Sequence, residues 1–181
     1  MIGVPVRVRQ GTVDDAEAVA AVHVRAWQTA YAGIVPDDVL AALDPVQRAK
    51  RRRTQLADPH RPGMLFVAVC DGAVVGFAEV GPGLVGDDQF DDDTGQVYAL
   101  YVDPGWWRRG VGQALLDVAL AHLLAARPRP VRLWVLAANT AARRFYERYG
   151  FAADGTVAPY TVHCSDGTTV DLDTLRYVRT G

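Results

Sequence analysis

Cysteine is scarce in this sequence: Cys70 sits in an apolar run and Cys164 near the end, and neither has a cysteine or histidine at metal-ligand spacing apart from the adjacent His163. A disulfide framework and a thiolate zinc site are thereby excluded, and both thiols read as reduced and structural. Long hydrophobic runs are lacking too. No apolar run approaches the roughly 18 residues that a spanning helix needs, and the opening MIGVPVRVRQ has no apolar signal core, so a cytoplasmic location is expected. Charge of one sign is also absent: 19 Lys and Arg against 21 Asp and Glu leave a formal net charge of −2. That balance does not supply the positive field of a nucleic-acid binder. No Gly-Lys followed by Ser or Thr occurs, which removes a P-loop ATPase or kinase. With half of its residues hydrophobic and no repeat, low-complexity tract or linker, the chain is expected to form one domain over 1–181.

What is present divides by texture. Val4 to Arg9 alternates like a half-buried strand, and Thr12 with Asp15 resembles a helix start. Val19, Val22, Ala26 and Ala30 then recur at helical spacing as one buried stripe, with His23, Trp27 and Tyr31 beside its edge. Pro36 opens a short helix to Leu43, and Pro45 another to about Ala57. MLFVAVCD and AVVGFAEVGP, joined by Asp71-Gly72, read as a β-hairpin. Gly86 to Gly95, with five aspartates and no aliphatic residue, reads as a solvated loop leading to the strand QVYALYV. A helix from Trp107 to about Ala126, the strand VRLWVL, a helix from Asn139 to Tyr149 and two strands around Asp166-Gly167 complete the series. The implied fold is α/β, a mixed and mostly antiparallel sheet flanked by helices.

At the junction YVDPGWWRRGVGQALL, Gly110, Gly112 and Ala114 remove bulk where a strand hands over to a helix, so backbone N–H groups can converge on an anion. The helix dipole adds positive charge at the same end, and Arg108 and Arg109 add full charges, which suits a diphosphate. Glycines at a helix entrance serve packing equally well. A Rossmann site is disfavoured: Leu115 stands where the third small residue belongs, and the next strand ends at Leu136 without an acid.

Taken together, LYVDPGWWRRGVGQALL and VLAANTAARRFYERYGF resemble the GCN5-related N-acetyltransferase (GNAT) family, both halves in order and at natural spacing. VHVRAWQTAYAGIVP also resembles small bacterial-type members. Gly110 and Gly112 match the glycines of the family's pyrophosphate loop, while Trp107 stands where the family prefers Gln or Arg. The resemblance implies that acetyl-CoA is the acyl donor and that no metal is used. Amides from Arg108 through Arg109, Gly110, Val111, Gly112 and Gln113 to Ala114 would hold the diphosphate. Leu100, Tyr101 and Val102 would face the pantetheine arm, inserted between splayed parallel strands QVYALYV and VRLWVL. An N–H near Leu100 would bind the thioester oxygen. Asn139 and Arg143 would complete the donor side. Tyr146 matches the tyrosine of the family's Phe-Tyr-Glu-x-x-Gly-Phe stretch and would protonate the departing thiolate. Helical geometry independently puts Asn139 and Tyr146, seven apart, on one face, leaving Phe145 to fill the core.

An alkylammonium has a pKa near 10, so the acceptor amine must lose a proton to a carboxylate, a histidine or a water chain. Glu79 is the first candidate base; an acid on an exposed strand face is equally ordinary. Trp27 and Tyr31 are candidate walls of the acceptor pocket, or staples between helix and sheet. The basic run from Arg48 to Arg53 reads as a solvated helix face, against RNA or the 3′-phosphate of CoA as its target. The expected partner is a small-molecule amine, with no membrane or nucleic acid, the chain acting alone or as a homodimer. A non-catalytic acyl-CoA sensor and a protein or peptide acetyltransferase are the competing readings.

Overall fold

A computed structural model describes residues 5–85 and 89–180. Strand β1 (Arg7–Gln10) starts later than the alternation suggests, and Val4 lies outside the described residues. Both oxygens of Asp15 are held by Arg9 at 2.8 Å, and one also accepts from the Thr12 amide at 2.8 Å. The Arg9 guanidinium, with the Thr12 amide, keeps the Asp15 carboxyl below the usual carboxylate range. This clasp winds Val13–Asp15 as a tight 3₁₀ turn, so helix α1 (Ala16–Ala30) begins later than Thr12 predicts. Its stripe is buried as expected at Val19, Val22 and Ala26. Helix α2 (Asp37–Ala41) is shorter than predicted, whereas α3 (Pro45–Ala57) has the predicted bounds, with the Asp44 side chain capping Val46 N at 2.8 Å.

Strands β2 (Met64–Cys70) and β3 (Ala73–Leu84) turn on Asp71 and Gly72, both at positive φ (49° and 78°), as a two-residue hairpin demands. Strand β4 (Phe90–Val102) is longer than QVYALYV. Phe90 and Asp91 pair with Leu84 and Gly83, Gly95 pairs with Pro82, and the three residues between are bulged out. The predicted loop over 86–95 is thus corrected for its second half, while 86–88 lie outside the described residues. Charged residues are tolerated there because the Asp92 carbonyl accepts from Arg127 and Arg129, and Asp93 pairs with Arg127.

Helix α4 (Val111–Leu124), strand β5 (Val131–Leu136), helix α5 (Thr140–Arg148) and strands β6 (Ala152–His163) and β7 (Thr169–Arg179) follow. The sheet order is β1-β2-β3-β4-β5-β7-β6, antiparallel throughout except between β4 and β5. Val19 and Val22 of α1 pack on Leu65, Val67 and Phe77, covering one face. Leu115, Leu116, Ala119 and Leu123 of α4 pack on Ala78, Val80, Val97 and Leu133, covering the other. A Cβ at Gly76 would meet Leu115 at 3.0 Å, so that glycine lets α4 settle onto β3.

Candidate active site

Parallel pairing of β4 with β5 stops after three residue pairs, Gly95 with Val131, Gln96 with Arg132 and Val97 with Leu133. A bulge at Tyr98, where the register with β3 shifts between Glu79 and Val80, sits where the two strands part. Beyond it, Ala99 to Val102 keep their β3 partners on one side and have no ladder with β5 on the other. The splay opens a cleft of about 790 Å³, walled by residues 97–102 of β4, 133–135 of β5, the turn before α4, one face of α5 and the end of α1. A strand edge opening onto a cleft can accept an extended ligand as a further strand would be accepted.

At one end of the cleft lies the Gly110 turn. Arg108 and Gly110 both take positive φ (60° and 81°), which is why α4 begins at Val111 and not at Trp107. Gly110 is the N-cap and offers no side chain, and the Ala114 amide is the one that bonds back to the Gly110 carbonyl, at 2.9 Å. The amides of Val111, Gly112 and Gln113 are thus left for an outside acceptor. Arg108, Gly110, Val111, Gly112 and Gln113 line the cleft. Arg109 instead lies over the Trp106 ring, 5.1 Å from its centre, and Ala114 is engaged in the helix. Trp107 has a role that the motif did not suggest: its indole N–H donates to the Val102 carbonyl at 2.8 Å, tying the turn to the end of β4. These residues fit a diphosphate followed by an extended arm.

Tyr146 also lines the cleft, with 8% of its surface exposed. Phe145 packs against the core as predicted but stays half-buried over Gly112, whose Cβ would meet it at 3.6 Å, and it lines the cleft with Tyr146, the more buried of the two. Asn139 caps α5, accepting from Ala142 N at 3.1 Å, and so fixes the helix that carries Tyr146. Tyr31 faces Tyr101, Tyr146 and Asn139, and Tyr101 in turn faces Trp27 and Tyr160. Burial pushes the Tyr31, Tyr101 and Tyr146 phenols above their ordinary value, and the neighbouring hydroxyls push Tyr31 and Tyr146 further the same way. All three keep their protons at neutral pH.

The remaining candidates sit elsewhere. Arg143 is turned from the cleft, its guanidinium donating to Tyr177 Oη and the Ala137 carbonyl at 3.0 Å each. Arg144 and Arg148, four apart on α5, line the cleft in its place. Their spacing with Ala141 and Phe145 was the signal that could have found them. Glu79 lies under α3, one oxygen on Arg52 at 2.6 Å and the other on Arg61 at 2.9 Å, and is not part of the cleft wall. Trp27 lies behind Tyr31 in an edge-to-face contact, ring centres 4.8 Å apart, so Tyr31 reaches the cleft and Trp27 backs it. The basic run is not a uniform solvated face: Arg48 lies over Trp27 and Arg52 over Phe77, each at 5.7 Å, while Arg53 pairs with Glu17. Among the described residues no cluster of His, Cys, Asp and Glu could hold a metal ion, and no helix is long and apolar enough to cross a membrane.

A sequence description of the acetyltransferase (GNAT) family matches residues 24–151. The chain belongs to that family. As a GNAT member it is an acyltransferase, and its turn before α4 and its splayed strands lie inside the matched segment. The chain is 31% identical over 144 residues to an N-acetyltransferase of Bacillus subtilis, YuaI, covering 80% of this chain and 79% of that one. It is 34% identical over 177 residues to a mycothiol acetyltransferase of Mycobacterium leprae, covering 89% of this chain and only 50% of that protein's length. The GNAT fold is shared with the PaiA N-acetyltransferase of Thermoplasma acidophilum, solved in complex with coenzyme A, at a TM-score of 0.73 and 18% identity over 98% of this chain and 99% of that one.

Proposed function

We propose that this GNAT member moves an acetyl group from acetyl-CoA to the primary amine of a small molecule by direct attack, with Tyr146 as general acid. The observation that carries this reading is the course of the cleft, from the free amides of the Gly110 turn along the unpaired edge of β4 to the Tyr146 hydroxyl. The amides of Val111 to Gln113 with Arg108 would bind the diphosphate, the edge of β4 the pantetheine arm, and an amide near Leu100 the thioester oxygen. A small-molecule acceptor accords with the resemblance to a mycothiol acetyltransferase, of which the chain spans half.

In the reaction the amine nitrogen bonds to the acetyl carbon, the C–S bond breaks, and its electron pair leaves on sulfur. Tyr146 gives that sulfur a proton, and the proton shed by the amine returns to the phenolate through water. A free thiol has a pKa near 8.5, below a phenol near 10, so this transfer is uphill in water. Burial raises a thiol as it raises Tyr146, so the order of the two is kept, and the transfer is drawn forward by return of the amine's proton to the phenolate. No carboxylate or histidine lines the cleft among the described residues. Glu79, with both oxygens on arginines and outside the cleft wall, enters this reading as the counter-ion of Arg52 and Arg61 and not as the base.

The test is a thiol-release assay with acetyl-CoA and mixed primary amines, products identified by mass. Amine-dependent release of CoA and acetylated amine is expected. Binding of acetyl-CoA without release would instead identify a non-catalytic acyl-CoA sensor, and dependence on a protein or peptide acceptor would overturn the small-molecule assignment.

A further inference from the structure

Arg48 is a cation without an anion. It is half-buried on α3, its guanidinium 5.7 Å from the centre of the Trp27 ring, and among the described residues it forms no ion pair. Its neighbours do not supply the missing charge: Arg52 and Arg61 already share the single carboxylate of Glu79. His23, stacked on Tyr101 at 4.8 Å, is half-buried and neutral, its pKa pushed down to about 3 by removal from water and then by Arg48 and Arg52. Removing a guanidinium from water without a partner is costly, and the cost is recovered only when an anion arrives.

The surroundings are those of a binding corner. Trp27 Nε1 and His23 Nε2 are buried with no hydrogen-bond partner among the described residues. The Trp27 and Tyr160 rings stand 6.0 Å apart, and the Tyr160 and Tyr101 hydroxyls lie within the electrostatic reach of Arg48. The Tyr101 ring stands 6.4 Å from that of Trp27, and Tyr101 lines the cleft with Tyr146. Tyr101 thus belongs both to the corner and to the cleft that holds the proposed acid. The corner is built on α1 and α3, on the sheet face opposite α4 and its amide turn, so a donor held at that turn leaves it to the acceptor.

We infer that Arg48 receives a carboxylate carried by the acceptor, which makes the substrate class an amine with a carboxylate a few bonds away, as in an amino acid. The flat two-point fork of one guanidinium matches a carboxylate, and the Trp27 and Tyr160 rings would wall the apolar part between the two polar ends. This inference rests on the acetyltransferase reading above.

Its test compares L-methionine, L-phenylalanine and L-glutamate with their α-carboxamides as acceptors at saturating acetyl-CoA, for the unaltered protein, Arg48→Gln and Arg48→Lys. Taking the ratio of ratios cancels the different basicities of the amines. At least one acid is expected to be preferred over its amide. That preference should fall about tenfold in Arg48→Gln through KM, with kcat largely kept, and recover in part in Arg48→Lys. A preference unchanged within about twofold in Arg48→Gln, or amides equal to acids with the unaltered protein, overturns the inference. So does the absence of any acetylated amine. Calorimetric titration with acetyl-CoA on the same samples separates the cases: no binding sinks the acetyltransferase reading as well, whereas binding and turnover of neutral amines sink the carboxylate site alone.

Discussion

Tyr146 lies in the wall of a cleft between strands β4 and β5, and burial keeps its hydroxyl protonated. Tyr146→Phe removes the proton and little volume, so kcat for acetyl transfer should fall about a hundredfold while the affinity for acetyl-CoA is nearly kept. Steady-state kinetics beside calorimetry check both halves. Because its pKa is raised, Tyr146 contributes no falling limb at moderately alkaline pH: with an alkylamine acceptor the rate should keep climbing to about pH 10 as the amine loses its proton, without a downturn. His23 gives a second pH signature, in stability. Its folded pKa, about 3, lies below its unfolded value, so the unfolded chain binds the extra proton first as pH falls. Stability should therefore be complete above about pH 6.5 and drain away toward pH 3, by at most about 1.4 kcal/mol per pH unit from this group. Urea unfolding across that range checks it, and His23→Phe should flatten the slope.

At the scale of elements, two short devices hold the cleft in shape. Asn139→Ala removes the cap of α5 and should cost about 1 kcal/mol in urea unfolding. Gly110 takes φ of 81°, so Gly110→Ala should cost about 1–2 kcal/mol of strain and weaken acetyl-CoA binding, because the turn that aims the amides is the part that moves. These elements were readable because their signals are local. Asp71-Gly72 specifies a hairpin, Pro45 a helix start, and the Gly110 turn a strand-to-helix junction, each within a few residues. What was not readable depends on distant partners. Nothing near Arg143 says that Tyr177, in the last strand, will draw it out of the cleft and leave Arg144 and Arg148 there. Likewise Glu79 looked available as a base until α3 and the Arg61 segment laid two guanidiniums on it. The extension of β4 to Phe90 was hidden by three aspartates, of which Asp93 has its charge met by Arg127, after α4.

Across the whole molecule, the sheet separates two halves of one task. On the α4 face stand free amides and Arg108, fitted to an anionic donor; on the α1 and α3 face stand aromatic walls and an unpaired Arg48. The gap between β4 and β5 joins them, and it exists because pairing ends at Val97 and Leu133. The resemblance carried by two motifs implied the parallel pair, while the proposed acceptor side rests on two arginines that α3 turns inward. The most direct test of the account is a crystal structure of the protein soaked with acetyl-CoA. The predicted density has its diphosphate on the amides between Arg108 and Ala114, its pantetheine arm along Leu100 to Val102 between the two strands, and its thioester within reach of Tyr146. Density for the cofactor at any other place, with the gap between β4 and β5 closed, would contradict it.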